Sequence, residues 1–170
     1  MSQKITPFLW FEDDAEEALT LYTSIFPDAR IADVTRFGPG GPFPAGTLQS
    51  ATFELAGQQF MAINGGPHDR FNDAISLFVS CESQEEIDRY WDALLDGGGT
   101  PTQCGWLKDR FGVSWQVTPV QLLRYLADPD PEKAGRTAAA MLSMVKLDLP
   151  ALTAAYEGER AMRRTGMVEE

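Results

Sequence analysis

The feature that most constrains what this chain can fold into is a repeat of its own pattern. Asp14-Ala15-Glu16-Glu17-Ala18-Leu19-Thr20-Leu21-Tyr22 lies over Ser83-Gln84-Glu85-Glu86-Ile87-Asp88-Arg89-Tyr90-Trp91 at one constant offset. A capping residue, two glutamates, an apolar residue and a closing aromatic recur in the same places. Both stretches read as amphipathic helices. Ala15, Ala18, Leu19, Tyr22, Ile25 and Phe26 form one apolar stripe, and Ile87, Tyr90, Trp91, Leu94 and Leu95 form the other. Early acids suit the positive end of a helix dipole, and Ser83 with Glu86 is a capping box in which each closes the other's free backbone donor. Apolar runs of strand length, Ile5 to Phe11 and Ile75 to Cys81, precede the two helices, and three more strands follow each. The unit is strand, helix, strand, strand, strand, made twice. This gives an α+β fold of two βαβββ modules, at about 4–66 and 74–119.

Local signals set the boundaries. Pro7 argues for a strand start or an edge. Pro27-Asp28 stops the first helix, and Gly97-Gly98-Gly99 ends the second. Ala29 to Phe37, Leu48 to Leu55 and Gln59 to Asn64 complete the first module. The loop Gly38-Pro39-Gly40-Gly41-Pro42-Phe43-Pro44-Ala45-Gly46 is expected to be mobile, and it is no phosphate cradle, because no Lys-Ser/Thr follows it. The second module closes on a hairpin. A short run ending in Trp106 meets the turn Lys108-Asp109-Arg110 and Gly112. A second run then alternates Val113, Trp115 and Val117 with Ser114, Gln116 and Thr118. A polar row centred on a glutamine needs water or a ligand to satisfy it, so this row points most directly to a site.

Charge and composition exclude several classes. The 170 residues carry a net charge of -11, which argues against a nucleic-acid partner. Two cysteines, Cys81 and Cys104, are too few for a disulfide scaffold, so a reduced, cytoplasmic setting is expected. Met1-Ser2-Gln3-Lys4 leads into a strand pattern without a signal-peptide core, and no apolar run approaches the about 18 residues of a membrane span. The acids Glu12 to Glu17 read as a solvated first helical turn. Residues 120–158 form a helical extension to the paired domain at 1–119. Val120, Leu122, Leu123 and Leu126 make one short helix, and Asp130-Pro131 caps a longer one with the stripe Ala134, Ala138, Met141, Leu142 and Val145. Leu149-Pro150 opens a last helix through Tyr156, and residues 159–170 are expected to fray.

Ile5-Thr6-Pro7-Phe8-Leu9-Trp10-Phe11, Gln103 to Asp109, Phe111-Gly112-Val113-Ser114-Trp115-Gln116-Val117, Asp128-Pro129-Asp130 and Lys146-Leu147-Asp148 are specific enough to name a family. The chain resembles the PhnB-like branch of the vicinal oxygen chelate superfamily, which includes glyoxalase I, bleomycin-resistance proteins and extradiol dioxygenases. Members of that branch are often labelled 3-demethylubiquinone 3-methyltransferase-like. The resemblance implies that each module curls its mixed sheet around a cleft, and that two chains form a homodimer. It also implies metal-ligand places near Thr6, Asn64 (or Ala62), Ser76 and Gln116. None of these is an imidazole or carboxylate, so neither a metal nor another cofactor is expected. His68 falls in a loop away from all four.

Parity along the strands groups Thr6, Phe8 and Trp10 with Phe60 and Asn64, and Ser76 and Phe78 with Ser114 and Gln116. The hairpin adds Cys104 and Trp106. An aromatic cleft with a few neutral hydrogen-bonding groups suits a small aromatic or amphipathic organic molecule. Three functions follow: a binding protein without turnover, an enzyme of the superfamily (lyase, isomerase or methyltransferase-like), or an interaction module with a vestigial cavity.

Overall fold

A computed structural model describes residues 3–159, so apart from Glu159 the tail expected to fray lies outside the described residues. The chain divides into two compact units. The first is Met1–Ala74 with Phe111–Val113, and the second is Ile75–Arg110 with Ser114–Glu170.

Unit 1 comprises β1 (Phe8–Phe11), α1 (Ala15–Ile25), β2 (Arg30–Arg36), β3 (Leu48–Leu55) and β4 (Gln58–Asn64). Its sheet has the order β1-β4-β3-β2, with β1 parallel to β4 and the other pairs antiparallel. β1 starts at Phe8 rather than Ile5. Pro7 has no N–H to donate, although its carbonyl still accepts from the Met61 N–H at 2.9 Å. One face of the sheet buries Leu9, Phe11, Ala51, Phe53, Leu55, Phe60 and Ala62 beneath Ala15, Ala18, Leu19 and Tyr22 of α1. Phe71 and Phe111 meet the Phe11 ring edge-on at 5.1 and 6.3 Å, and Phe111 also meets Tyr22 at 6.2 Å. Phe111 thus belongs to the aromatic core of unit 1. The Gly-Pro loop is tied at its base, where the Phe37 N–H donates to Thr47 O and the Gly46 N–H to Phe37 O. The Phe37 ring also packs on Phe43 with 5.1 Å between centroids.

Unit 2 repeats the plan with β5 (Leu77–Cys81), α2 (Gln84–Leu95), β6 (Thr100–Pro101), β7 (Trp106–Lys108) and β8 (Ser114–Pro119), in the order β5-β8-β7-β6. Each module therefore pairs its first strand, in parallel, with its last. The expected duplication is real. The hairpin differs in detail, because Trp106 opens β7 instead of closing it. Cys104 (φ 59°) and Gly105 (φ 83°) are left-handed, so the residues before Trp106 turn. Asp109 lies in the connection between β7 and β8, where it is buried and accepts a 2.8 Å hydrogen bond from the Trp115 indole. The capping box forms with one change. Ser83 Oγ accepts from the Glu86 N–H at 3.2 Å, but the Glu86 carboxylate reaches back to the N–H of Glu82 (2.7 Å).

The extension follows as α3 (Val120–Leu126), α4 (Pro131–Leu142) and α5 (Leu149–Glu157). Asp130 caps α4 as expected, accepting from the Glu132 and Lys133 N–H groups. The expected stripe of α4 is displaced. Thr137 is its buried residue, whereas Leu142 and Val145 are 63% and 49% exposed, because the helix stops at Leu142 and turns through Ser143. Leu122, Leu147 and Leu152 form a small core with Leu126, Met141 and Met144 against it.

Polar groups fasten this extension to α2. The Gln84 amide accepts from the Leu149 N–H at 2.7 Å and donates to Asp88 and to Leu147 O, while Lys146 Nζ lies 2.6 Å from Asp88 and 3.4 Å from Asp92. Hydrogen bonds from Lys146 and Gln84 hold the Asp88 carboxyl below the usual carboxylate range, outweighing burial. A depressed carboxyl pKa stabilises the fold above the unfolded value of about 4 and loses that contribution as pH falls through the lower folded value. Lys146→Met is therefore expected to lower stability at pH 7 by only a few tenths of a kcal/mol, up to about 1, because the paired groups are partly exposed and screened by water. At pH 2 the wild type and the variant should unfold at nearly the same urea concentration. An equal gap at both pH values would discard this account.

Candidate functional site

Register decides which side chains share a face, and it divides the expected set. In unit 1, Phe8 pairs with Met61 and Trp10 with Ile63. Phe8 (51% exposed) and Trp10 therefore share the face away from α1 with Met61 and Ile63. Ser50 and Thr52, opposite Ile63 and Met61, extend it. Phe60 and Asn64 lie on the other face, against α1, which corrects the grouping drawn from parity. Phe60 stacks on buried Phe53 with centroids 5.2 Å apart. Asn64, 2% exposed, accepts from the Ala15 N–H at 2.9 Å and donates to Leu48 O at 2.9 Å. Its amide caps α1 across the sheet, at a helix start where Asp14 makes no side-chain cap. Thr6 is half-buried and precedes β1. Trp10 is fixed in place: its indole donates to Gly66 O at 3.0 Å, and a Cβ on Gly65 would fall 2.2 Å from the ring.

The acids at the start of α1 do not form a site. Glu16 pairs with Arg36 at 2.6 Å, and that hydrogen bond lowers its carboxyl pKa. Burial, ahead of repulsion from Asp13, Glu17 and Glu12, raises that of Asp14.

In unit 2 the expected residues do come together. Phe78 and Trp106 are both register partners of Gln116, so β5, β8 and β7 set Phe78, Gln116 and Trp106 in one row on one face. Leu77, Val79, Cys81, Leu107, Trp115 and Val117 take the opposite face, against α2. The Gln116 Nε2 donates to Ser76 Oγ at 2.7 Å. Phe78 is 45% exposed and Trp106 and Gln116 are half-buried, so the row is accessible. The rest of the expected polar row is not. Ser114 and Thr118 are buried, leaving Gln116 as the accessible member. Lys108, partner of Ser114, lies on the same face and was not picked out from sequence. A separate shallow cavity of about 450 Å³ lies elsewhere in unit 2, between the start of α2 and α5, with Gln84, Leu149, Pro150 and Glu157 among its walls.

The two thiols differ. Cys81 is fully buried, and burial pushes its pKa up to about 12, with the nearby Glu86 carboxylate adding to the effect. Cys104 is half-exposed on the turn before β7, its N–H bound to Met144 O at 2.8 Å. In the native protein at pH 8, Ellman's reagent is expected to titrate one thiol within minutes, and Cys104→Ser should abolish that signal. Two fast thiols would contradict the burial of Cys81.

Two βαβββ units, each pairing its first strand with its last, are the architecture of the vicinal oxygen chelate superfamily. Residues 3–118 match the family model described as 3-demethylubiquinone-9 3-methyltransferase, and the chain belongs to that family. It is similar to a putative 3-demethylubiquinone-9 3-methyltransferase, a PhnB protein from Bacillus cereus, at 42% identity and a TM-score of 0.65, over 69% of this chain and 100% of that one. A protein from Pseudomonas aeruginosa, PA1353, aligns at 25% identity and TM-score 0.57, over 69% of this chain and 98% of that one. The fosfomycin resistance protein FosX from Listeria monocytogenes shares the fold at 17% identity and TM-score 0.53, over 75% of this chain and 99% of that one. None of the curated proteins compared matches the chain.

Many members of this superfamily use a divalent ion, and the residues here do not fit one. Thr6, Ser76 and Gln116 offer neutral oxygens, and both ends of the Asn64 amide are engaged by backbone. Among the described residues no three His, Cys, Asp or Glu are grouped to hold an ion. Neutral hydroxyls and amides alone do not offset the dehydration of a divalent cation. Among the described residues no helix is long and apolar enough to cross a membrane.

Proposed function

We propose that this chain binds a small, neutral aromatic or amphipathic organic molecule on the face of its second sheet that carries Phe78, Gln116 and Trp106, and does so without turnover or a metal. The observation behind this reading is that row. A large aromatic left nearly half exposed stands beside an amide whose partner, Ser76, is itself half-buried. Apolar area with a few placed polar groups is what small-molecule sites are made of. The face carrying Phe8 and Trp10 adds a second exposed aromatic surface in unit 1. Against catalysis by these residues stands the absence, in the row, of an acid/base pair or an activated nucleophile.

A thermal-shift screen against aromatic and quinone-like compounds tests the proposal. A ligand at about 100 times its Kd adds about 2.7 kcal/mol of stability, which raises the melting temperature by several degrees. Phe78→Ser is expected to remove most of that shift and to leave the melting temperature of the free protein within a degree or two. If no compound shifts the transition, or if Phe78→Ser leaves the shift intact, the proposal fails. The family's description favours one other reading, a methyltransferase-like enzyme. Product formation from a quinol substrate with a methyl donor, followed by mass spectrometry, would replace binding by catalysis.

A further inference from the structure

We infer that the molecule held on this face is a planar cyclic amide, one whose ring carries a carbonyl directly beside an N–H. The inference rests on the reading above, that this face takes a small aromatic molecule, and adds the chemistry of the group it recognises.

The Gln116 Nε2 donates to Ser76 Oγ at 2.7 Å. This bond uses one amide hydrogen of Gln116 and one lone pair of Ser76. It leaves the Gln116 Oε1 as an acceptor and the Ser76 hydroxyl proton as a donor, a few ångströms apart. Turning the amide over exchanges the two roles and still leaves an adjacent donor and acceptor. A carboxylate brings only acceptors to such a pair and would meet Oε1 with like charge, while an ammonium group brings only donors. A lactam, imide or pyrimidinone edge brings one of each in a fixed, coplanar arrangement.

The surroundings suit the rest of such a molecule. Adjacent strands lie about 4.8 Å apart, so the Phe78 and Trp106 backbones flank that of Gln116 at about this distance on either side. A flat ring resting on either aromatic side chain would lie beside the strand that carries Gln116, on the face of the Ser76–Gln116 pair. Stacking supplies affinity for any flat ring, and the polar pair supplies the choice among them. A site arranged to satisfy a polar edge rejects analogues lacking it more strongly than an apolar pocket rejects a change of size.

The test compares 2-quinolinone with N-methyl-2-quinolinone, which keeps the ring and the carbonyl but has lost the donor. Binding of each to the full chain is measured by saturation-transfer NMR and by quenching of tryptophan fluorescence. 2-Quinolinone is expected to bind about tenfold or more tightly than the methylated compound, the size expected when a partly buried acceptor loses its partner. Gln116→Leu should bring the two to equal affinity, near that of the methylated compound. Ser76→Ala, a smaller change, should narrow the gap in the same direction and serves if Gln116→Leu fails to fold. Equal binding of both compounds to the wild type overturns the cyclic-amide inference and leaves the aromatic-binding reading in place. A preference that survives both substitutions also overturns it, since the discrimination then lies elsewhere. No binding of either compound to folded protein overturns the cyclic-amide inference, and the aromatic-binding reading then stands or falls on the thermal-shift screen.

Discussion

Replacing Asn64 by alanine is expected to lower the unfolding free energy by about 2–6 kcal/mol, read as a fall in the urea midpoint with an unchanged m-value. The estimate follows from what the amide holds. Asn64 is buried, and its two ends join the Ala15 N–H, at the start of α1, to the Leu48 carbonyl, at the start of β3. Alanine leaves both backbone groups without that partner in a site closed to water, at about 1–3 kcal/mol for each stranded group. The informative variant is Asn64→Asp. Aspartate is as good a helix cap as asparagine, so it would restore stability if capping were the whole role. Here its second oxygen would face the Leu48 carbonyl with no proton between them, and a carboxylate would join the acids Glu12 to Glu17 at the same helix start. Asn64→Asp is therefore expected to be no more stable than Asn64→Ala at pH 7 and to recover in part as acid protonates it. An aspartate variant with wild-type stability at pH 7 would show that the bridge to Leu48 contributes little.

Asn64 also shows where sequence reasoning stops. The caps of α2 and α4, the apolar stripes of α1 and α2 and the end of each strand are local facts, carried within a few residues, and the sequence displays them. Through them the duplicated βαβββ plan is legible except for β6. The cap of α1 comes from a residue far along the chain on another strand, and no local signal joins Asn64 to Ala15. Faces behave similarly. Alternation says that Phe8 and Trp10 share a side, and that Phe60 and Asn64 share a side. Whether these are the same side depends on the register of a parallel pair, and Phe8 opposite Met61 sets them apart. In β8 the alternation of Trp115 and Val117 with Ser114, Gln116 and Thr118 is correct, yet it cannot report that the polar side is mostly covered. The Phe78–Gln116–Trp106 row was within reach of sequence because all three residues lie on the expected parity of their strands. The two-residue strand β6 was not, being too short to carry any period.

Gly105→Ala is the second change expected to cost on the order of 3 kcal/mol, and it does so through packing that its neighbours cannot relieve. Gly105 has a φ of 83°, where a side chain costs roughly 1–2 kcal/mol. A Cβ there would also lie 2.8 Å from the Val117 carbonyl oxygen and 2.8 Å from Cδ1 of Leu147, which is fully buried in the small core of the extension. A flexible side chain at the surface could step aside, but backbone oxygen in β8 cannot. The same residue donates to Val145 O and accepts from the Val117 N–H, both at 2.8 Å, so any shift that relieves the clash loosens two backbone hydrogen bonds. Gly57→Ala separates the causes. Gly57 has nearly the same φ, 81°, with no heavy atom within 4 Å of the added carbon, so it should lose the conformational part alone, roughly 1–2 kcal/mol. The excess of Gly105→Ala over Gly57→Ala then measures how tightly β8 and the extension close around the turn before β7. If the two variants unfold at the same urea concentration, both Leu147 and the Val117 backbone yield freely to the added carbon, and the turn before β7 is not the fixed seam that its hydrogen bonds describe.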